Sequence, residues 1–299
     1  MPQHGIALLV IDMDGDGTKM DQASQHAAGT GGRRKLYIGI AVVILIVAGL
    51  LLFTQGGHAS APLTAYDNAV VSVSFLSRLN VPSNISNSIG IGTAEYLRVL
   101  SKIKNATALS SGGRPEVLYI GADYCPFCAA ERWALIIALS RFGSFSNLHY
   151  MTSSATDYSP STPTFTFYNS TYSSPYITFV SVEETTNQPS GAGYVQLQAP
   201  TQAQQNLLAR YDVNQTIPFV LFANYSYLSG ATYDPYSILY AKNWTAIAQE
   251  LYNTSSAQSQ SIMGSADLVT EQICSIDNNT PSSVCSQPYV QSIRRAVGS

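Results

Sequence analysis

The chain has 299 residues, of which 45% are hydrophobic and only 11% charged, with a formal net charge of −3. That length allows one large domain or two smaller ones, and the apolar share is ample for a buried core. The weak negative balance, with no basic run outside residues 33–35, speaks against a nucleic-acid surface, so no nucleic-acid partner is expected.

Near the start, "LLVIDMDGDGT" resembles the phosphatase motif of the haloacid dehalogenase family, and Asp12, Asp14 and Asp16 echo a calcium loop. Both readings fail on context. Only about 20 residues separate the motif from a long apolar run, too few for a phosphatase domain. The twelfth loop position is Ala23, where a calcium loop needs Glu.

The apolar run, Leu36 to Phe53, is 18 residues without a charge. At roughly 1.5 Å per residue it just spans a bilayer core. Arg33, Arg34 and Lys35 precede it, so the expected topology is a cytoplasmic tail 1–35, a single transmembrane anchor 36–53 in the lipid bilayer, and everything beyond outside the cell membrane. A cleaved signal peptide is the alternative. "ASAP" offers a small-x-small site at Ala59 to Ala61, but Pro62 would follow the cut. Eight sequons (Asn84, Asn105, Asn169, Asn214, Asn224, Asn243, Asn253 and Asn278) suit an outer location. The charge-poor, hydroxyl-rich composition suits acidic surroundings, and an extracytoplasmic site permits disulfide chemistry.

Residues 54–64 read as a Gly/Ala/Ser/Pro linker, followed by a domain over 65–290. In "TAEYLRVLSKI", Tyr96, Leu97, Leu100 and Ile103 recur at helical spacing and predict an amphipathic helix. "EVLYIGA" predicts a central strand, and Ala129 to Phe142 a helix closed by Gly143. "NLHYMTS" predicts the second strand. "TPTFTFYN", with Phe165 and Phe167 at period two, is expected to pair with "SPYITFVSVEE" inside an insertion around 150–198. "TQAQQNLLARYD" predicts a helix, and "TIPFVLFAN" and "YSYLSGATY" two strands meeting at an Asn-Tyr turn. "NWTAIAQELYN" and "SADLVTEQICSI" close the order as helices. Such an order argues for an α/β fold, a mixed sheet with flanking helices.

Between the central strand and the next helix lies Cys125-Pro-Phe-Cys128. A cysteine at a helix N-terminus meets unpaired amides and the helix dipole, which favour its thiolate. Pro126 fits the first helical position, where no N–H donor is needed. Cys125 is therefore the expected attacking thiol and Cys128 the resolving one. A c-type haem would need His at 129, which is Ala. Zinc would need two more ligands from Cys274, Cys285 or His149, without the usual paired spacing. A purely structural disulfide stays open. No metal and no cofactor is expected. Downstream, "QTIPFV" places Pro218 at a strand entry. In thioredoxin folds a cis proline there faces the CxxC, and the residue before it, here Ile217, pairs with the substrate backbone.

Together, "PEVLYIGADYCPFCAAERWALIIALSRFG", "TPTFTFYNSTY", "TIPFVLFANYSYLSGATYDP" and the closing Cys274 and Cys285 resemble domain-of-unknown-function family 929. These are prokaryotic, membrane-anchored proteins with a thioredoxin-like core. The resemblance implies that fold, and it carries over Cys125, Cys128, Pro218 and the late cysteine pair, but no substrate. The Pro-Phe dipeptide looks like the glutaredoxin type and implies a potential on the order of −200 to −230 mV. Asp123 and Glu131 flank the pair and are candidate proton acceptors; their bland readings are a helix-start charge and a solvated helix residue. The acid that a thioredoxin buries six residues before its first cysteine is replaced by Tyr119. Cys274 and Cys285 enclose a turn-rich loop and read as a structural disulfide or an electron relay. Tyr124, Phe127 and Trp133 read as core or rim packing.

The expectation is a membrane-anchored, extracytoplasmic thiol–disulfide oxidoreductase acting on secreted or surface proteins and recycled by a membrane redox partner. Its direction (oxidase, reductase or isomerase) is open. The alternative is a non-catalytic binding or chaperone module with structural disulfides.

Overall fold

The computed structural model describes residues 67–298. The expected tail 1–35, anchor 36–53 and linker 54–64 lie outside these residues. Among the described residues no helix is long and apolar enough to cross a membrane.

Three short helices come first: α1 (Val73–Leu79), capped by the Ser72 hydroxyl, α2 (Ser83–Ile89) and α3 (Tyr96–Val99). The amphipathic helix expected over "TAEYLRVLSKI" stops after one turn, with Leu97 exposed. Its second half is instead strand β1 (Leu100–Lys102), which pairs antiparallel with Ser226–Ser229. Helical spacing is a weak prior, and a free edge of the sheet wins over it.

Strands β2 (Ser110–Ser111) and β3 (Arg114–Gly121) form a hairpin. From Val117 onward β3 is buried on both faces, as a central strand must be. Helix α4 (Pro126–Leu139) follows. It is apolar nearly all round, so it is buried nearly all round. Each large side chain that it hides contributes about 1.5–3 kcal/mol. The helix ends at Ser140 rather than beside Gly143. Gly143 instead admits a neighbouring strand: a Cβ there would stand 2.2 Å from the Ser173 carbonyl oxygen.

Next come β4 (Ser144–Ser146), β5 (His149–Thr152), β6 (Pro163–Thr166), β7 (Thr171–Ser173) and β8 (Thr178–Glu183). Two pairings differ from expectation. β5 and β6 pair with each other, Tyr150 opposite Phe165, in a separate two-stranded sheet. β8, expected as the partner of "TPTFTFYN", lies parallel to β3, Val117 beside Phe179. A parallel partner needs a long crossover, and α4 with β4–β7 supplies it. Residues 150–198 are thus not a single insertion, because they contain a strand of the central sheet.

The hairpin β9 (Thr185–Ser190) and β10 (Gly193–Gln196) leads to α5 (Gln202–Tyr211), which opens with a capping box between Thr201 and Gln204. β11 (Phe219–Phe222) and β12 (Ser226–Ser229) complete the sheet, β11 lying antiparallel to both β3 and β12. Helices α6 (Pro235–Leu239) and α7 (Trp244–Glu250) precede a π-helical turn (Ser259–Met263) that runs into α8 (Gly264–Ile276). The chain ends in α9 (Ser282–Cys285) and α10 (Pro288–Val297), so the domain continues past residue 290.

The central sheet is mixed, in the order β1-β12-β11-β3, with β8 and β2 both pairing with β3. Alternation along the strands divides the core. Val117, Tyr119, Val220 and Phe222 share one cluster with α4 and α8. Leu118, Ile120, Phe219 and Leu221 share the other with Leu208 of α5. Helices therefore cover both faces of the sheet, as the α/β reading expected. Phe165 and Phe167 are core: Phe165 packs edge-on to Trp133 at 4.8 Å and Phe167 to Tyr119 at 5.1 Å.

Candidate functional site

Cys125 is the N-cap of α4 and Pro126 its first residue. The Cys128 N–H donates to the Cys125 sulfur at 3.3 Å, and the Ala129 N–H to the Cys125 carbonyl at 3.0 Å. Both thiols are free; Cys125 is 5% exposed and Cys128 wholly buried. A hydrogen bond from the Cys128 thiol lowers the Cys125 pKa against the effect of burial, with help from backbone N–H groups and the charge of Arg132. Burial pushes Cys128 up, and its bond to Cys125 adds to that. The two sulfurs are thus differentiated: the pKa of Cys125 is lowered and that of Cys128 is raised.

The Ile217–Pro218 bond is cis, as expected, and the Ile217 carbonyl oxygen lies 4.0 Å from the Cys125 sulfur. Ninety-two residues of chain are spanned by that contact. It forms because β3, which delivers the cysteines, and β11, which follows Pro218, are neighbours in the sheet.

Behind the cysteines lies a buried polar cluster that the sequence reading missed. Arg132 of α4 makes a two-pronged pair with Glu183 at the end of β8, at 2.6 and 2.8 Å. It also reaches Asp123 at 3.5 Å. All three side chains are buried. The guanidinium carbon sits 5.8 Å from the centre of the Tyr119 ring. The Tyr119 hydroxyl and one Arg132 nitrogen are buried without a hydrogen-bond partner among the described residues. Gly121 makes room for that phenol, since a Cβ there would fall 2.1 Å from the Tyr119 oxygen. The available signal was an arginine in a helix whose only other charged residue is its neighbour Glu131, since a buried arginine needs a carboxylate partner.

Asp123 is neither solvated nor a simple helix-start charge. Burial and the neighbouring Glu183 raise its pKa to about 7, against the pull of Arg132 and a Thr166 hydrogen bond. Glu131 is not solvated either, because α4 buries it completely. Its hydrogen bonds come from the Thr232 N–H at 3.1 Å and hydroxyl at 2.8 Å, and burial raises it to about 7. The structure thus brings Cys125, Cys128, Ile217 and Pro218 together, sets Asp123 beside Arg132, and ties Glu131 to the residue before Tyr233.

Cys274 and Cys285 are bonded to each other, Cα–Cα 5.5 Å, joining α8 to α9. They are therefore spent as metal ligands, and among the described residues no group of His, Cys, Asp and Glu is placed to hold a metal ion. Trp133 is core, its indole N–H donating to the Pro163 carbonyl at 2.8 Å. Tyr124 stacks on Tyr194 at 4.2 Å, and Phe127 stands at the rim, 36% exposed.

Raised carboxyls make a pH prediction. Asp123 and Glu131 at about 7, with Asp267 and Asp277 pushed by burial to about 6, keep protons in the folded chain that the unfolded chain has already lost. Stability from this source is full below about pH 4 and is lost as pH rises through 6 to 7. The melting temperature is therefore expected to be higher at pH 5 than at pH 8, read by circular dichroism. A higher value at pH 8 would contradict the assignment.

Comparison with curated proteins finds no match, nor does comparison with solved structures. A family model does match, over residues 100–275, more than half of the chain and the stretch that holds Cys125, Cys128 and Pro218. The chain belongs to the family described as domain of unknown function (DUF929).

Proposed function

We propose that this protein is a thioredoxin-like thiol–disulfide oxidoreductase, held at the outer face of the cell membrane by residues 36–53 and acting through Cys125 and Cys128 on protein disulfides. The observation that carries the reading is the asymmetric thiol pair at a helix N-terminus beside a cis proline. The strand order β8-β3-β11-β12, parallel between β8 and β3 and antiparallel beyond, supports the thioredoxin-like part.

In reduction, the Cys125 thiolate attacks one sulfur of a substrate disulfide, forming a mixed disulfide and releasing a substrate thiolate. Cys128 then loses its proton and attacks the Cys125 sulfur. The second substrate thiolate leaves, and a Cys125–Cys128 disulfide remains, so two electrons have passed to the substrate. Oxidation is the same path reversed. Asp123, two residues before Cys125 and paired with the Arg132 that lies behind the cysteines, has a pKa raised by burial to about 7, and we assign it as the acceptor of the Cys128 proton. Glu131, bonded to Thr232, is left with a packing role. Substrates are secreted or surface proteins, and a membrane redox partner resets the pair.

The test is a redox titration of the full chain in thiol buffers, with alkylation and mass spectrometry reading each pair separately. The expected result is a Cys125–Cys128 midpoint between about −120 and −230 mV while Cys274–Cys285 stays closed. Two pairs that both resist reduction below about −300 mV would be structural staples, and the protein would then be a non-catalytic binding or chaperone module. Cys274–Cys285 opening in step with the first pair would instead mark it as an electron relay.

A further inference from the structure

A row of aromatic rings leads away from the cysteines. Phe127, the only residue of α4 that is not buried, is 36% exposed. Its ring stacks on Tyr158, with centroids 5.7 Å apart and planes 5° from parallel. Tyr158 meets Tyr236 at 5.8 Å, and Tyr236 stacks on Tyr240 at 4.6 Å. The three tyrosines are 56%, 48% and 44% exposed. Single exposed apolar side chains are ordinary, whereas a contiguous patch marks an interaction surface. Of the ten large hydrophobic side chains exposed among the described residues, four stand in this one row.

Two carboxylates border it. Asp157 accepts the Tyr158 N–H at 2.6 Å. Asp234, the N-cap of α6, is hydrogen-bonded to the Tyr158 hydroxyl. Residues 154–163 and 230–241, which carry the tyrosines, contain no Lys or Arg; Lys242 follows the far end. The surface is thus aromatic and locally acidic. Cations are drawn to aromatic faces, and a guanidinium pairs well with carboxylates. The ring spacings of 5.7, 5.8 and 4.6 Å are somewhat shorter than the roughly 6.6 Å repeat of same-face side chains on an extended chain, so successive side chains of such a chain would meet successive rings.

We propose that the row Phe127–Tyr158–Tyr236–Tyr240, with Asp157 and Asp234, seats an extended cationic polypeptide segment that flanks the half-cystine reacting at Cys125. The inference rests on the exchange reading for its orientation and names the substrate class of that site: arginine- or lysine-bearing extended chains. Phe127 lies between the two cysteines, so the row begins beside Cys125.

The test uses the full chain and fluorescent peptides of equal length, each with one serine in place of the reacting cysteine, flanked by arginines, serines or glutamates. Anisotropy is expected to show the arginine peptide binding about tenfold tighter than the glutamate peptide. Tyr236→Ser or Tyr158→Ser is expected to reduce that ratio to about twofold. Equal affinity for all three peptides overturns the proposal, as does a ratio that both variants leave unchanged. Binding of a neutral oligosaccharide in preference to every peptide overturns it too. The rate with hydroxyethyl disulfide, which is too small to extend along the row, is read in parallel. Loss of peptide preference with that rate intact defeats the docking surface alone. No reaction with hydroxyethyl disulfide defeats the exchange reading, while peptide binding still decides the surface.

Discussion

Replacing Cys125 by serine is expected to abolish disulfide exchange, measured as insulin reduction and as covalent adducts on non-reducing gels. Cys125 is the sulfur whose pKa is lowered and which lies beside the cis Ile217–Pro218 bond. Cys128 is wholly buried and cannot take over. Cys128→Ser has the opposite signature: attack still occurs, but nothing breaks the mixed disulfide, so adducts accumulate. In the same assay Asp123→Asn is expected to prolong the adduct lifetime by about 10²-fold, the lower end of what a positioned proton acceptor contributes. Adducts that form with Cys125→Ser as readily as with the parent chain would remove Cys125 from the mechanism. An unchanged lifetime in Asp123→Asn would remove only the proton acceptor.

Arg132→Met is expected to destabilise the protein by about 3–5 kcal/mol, because it leaves buried carboxylates without their cation. Glu183 loses both of its short Arg132 contacts, and Asp123 loses its opposite charge. The same change removes a positive charge that lowers the Cys125 pKa, so the thiol is expected to titrate higher. Urea unfolding reads the first effect and the pH dependence of iodoacetamide alkylation the second. Adding Glu183→Gln to Arg132→Met is expected to restore part of the stability, since the stranded charge is then gone. A loss below about 1 kcal/mol would mean that the cluster is not held by this charge pairing.

The cysteine pair could be read because its signals are local. A β-forming run, Cys at the cap, Pro at the first helical position and an apolar helix all fall within a few residues, and short-range backbone chemistry dictates each. Pro218 at a strand entry and the helices over Gln202–Tyr211, Trp244–Glu250 and Gly264–Ile276 were legible for the same reason. Strand partners were not. Hydrophobic period identifies Pro163–Thr166 and Thr178–Glu183 as strands but says nothing of which neighbour each takes, and both were assigned to the wrong one.

Charges mark the same boundary. Asp123 and Glu131 are visible beside the cysteines, yet their surroundings are set by Glu183 and Thr232, which lie 51 residues beyond Arg132 and 101 beyond Glu131. The run from Tyr96 divides between helix and strand because β12, more than a hundred residues downstream, offers its edge to Leu100–Lys102. The aromatic row draws its four rings from three separate stretches of chain. Local pattern thus decided most of the helices and strands and where Cys125 and Cys128 sit. Long-range packing decided which charges are buried together, how far each carboxyl is pushed, and what surface surrounds Cys125, because desolvation and pairing depend on neighbours distant in sequence.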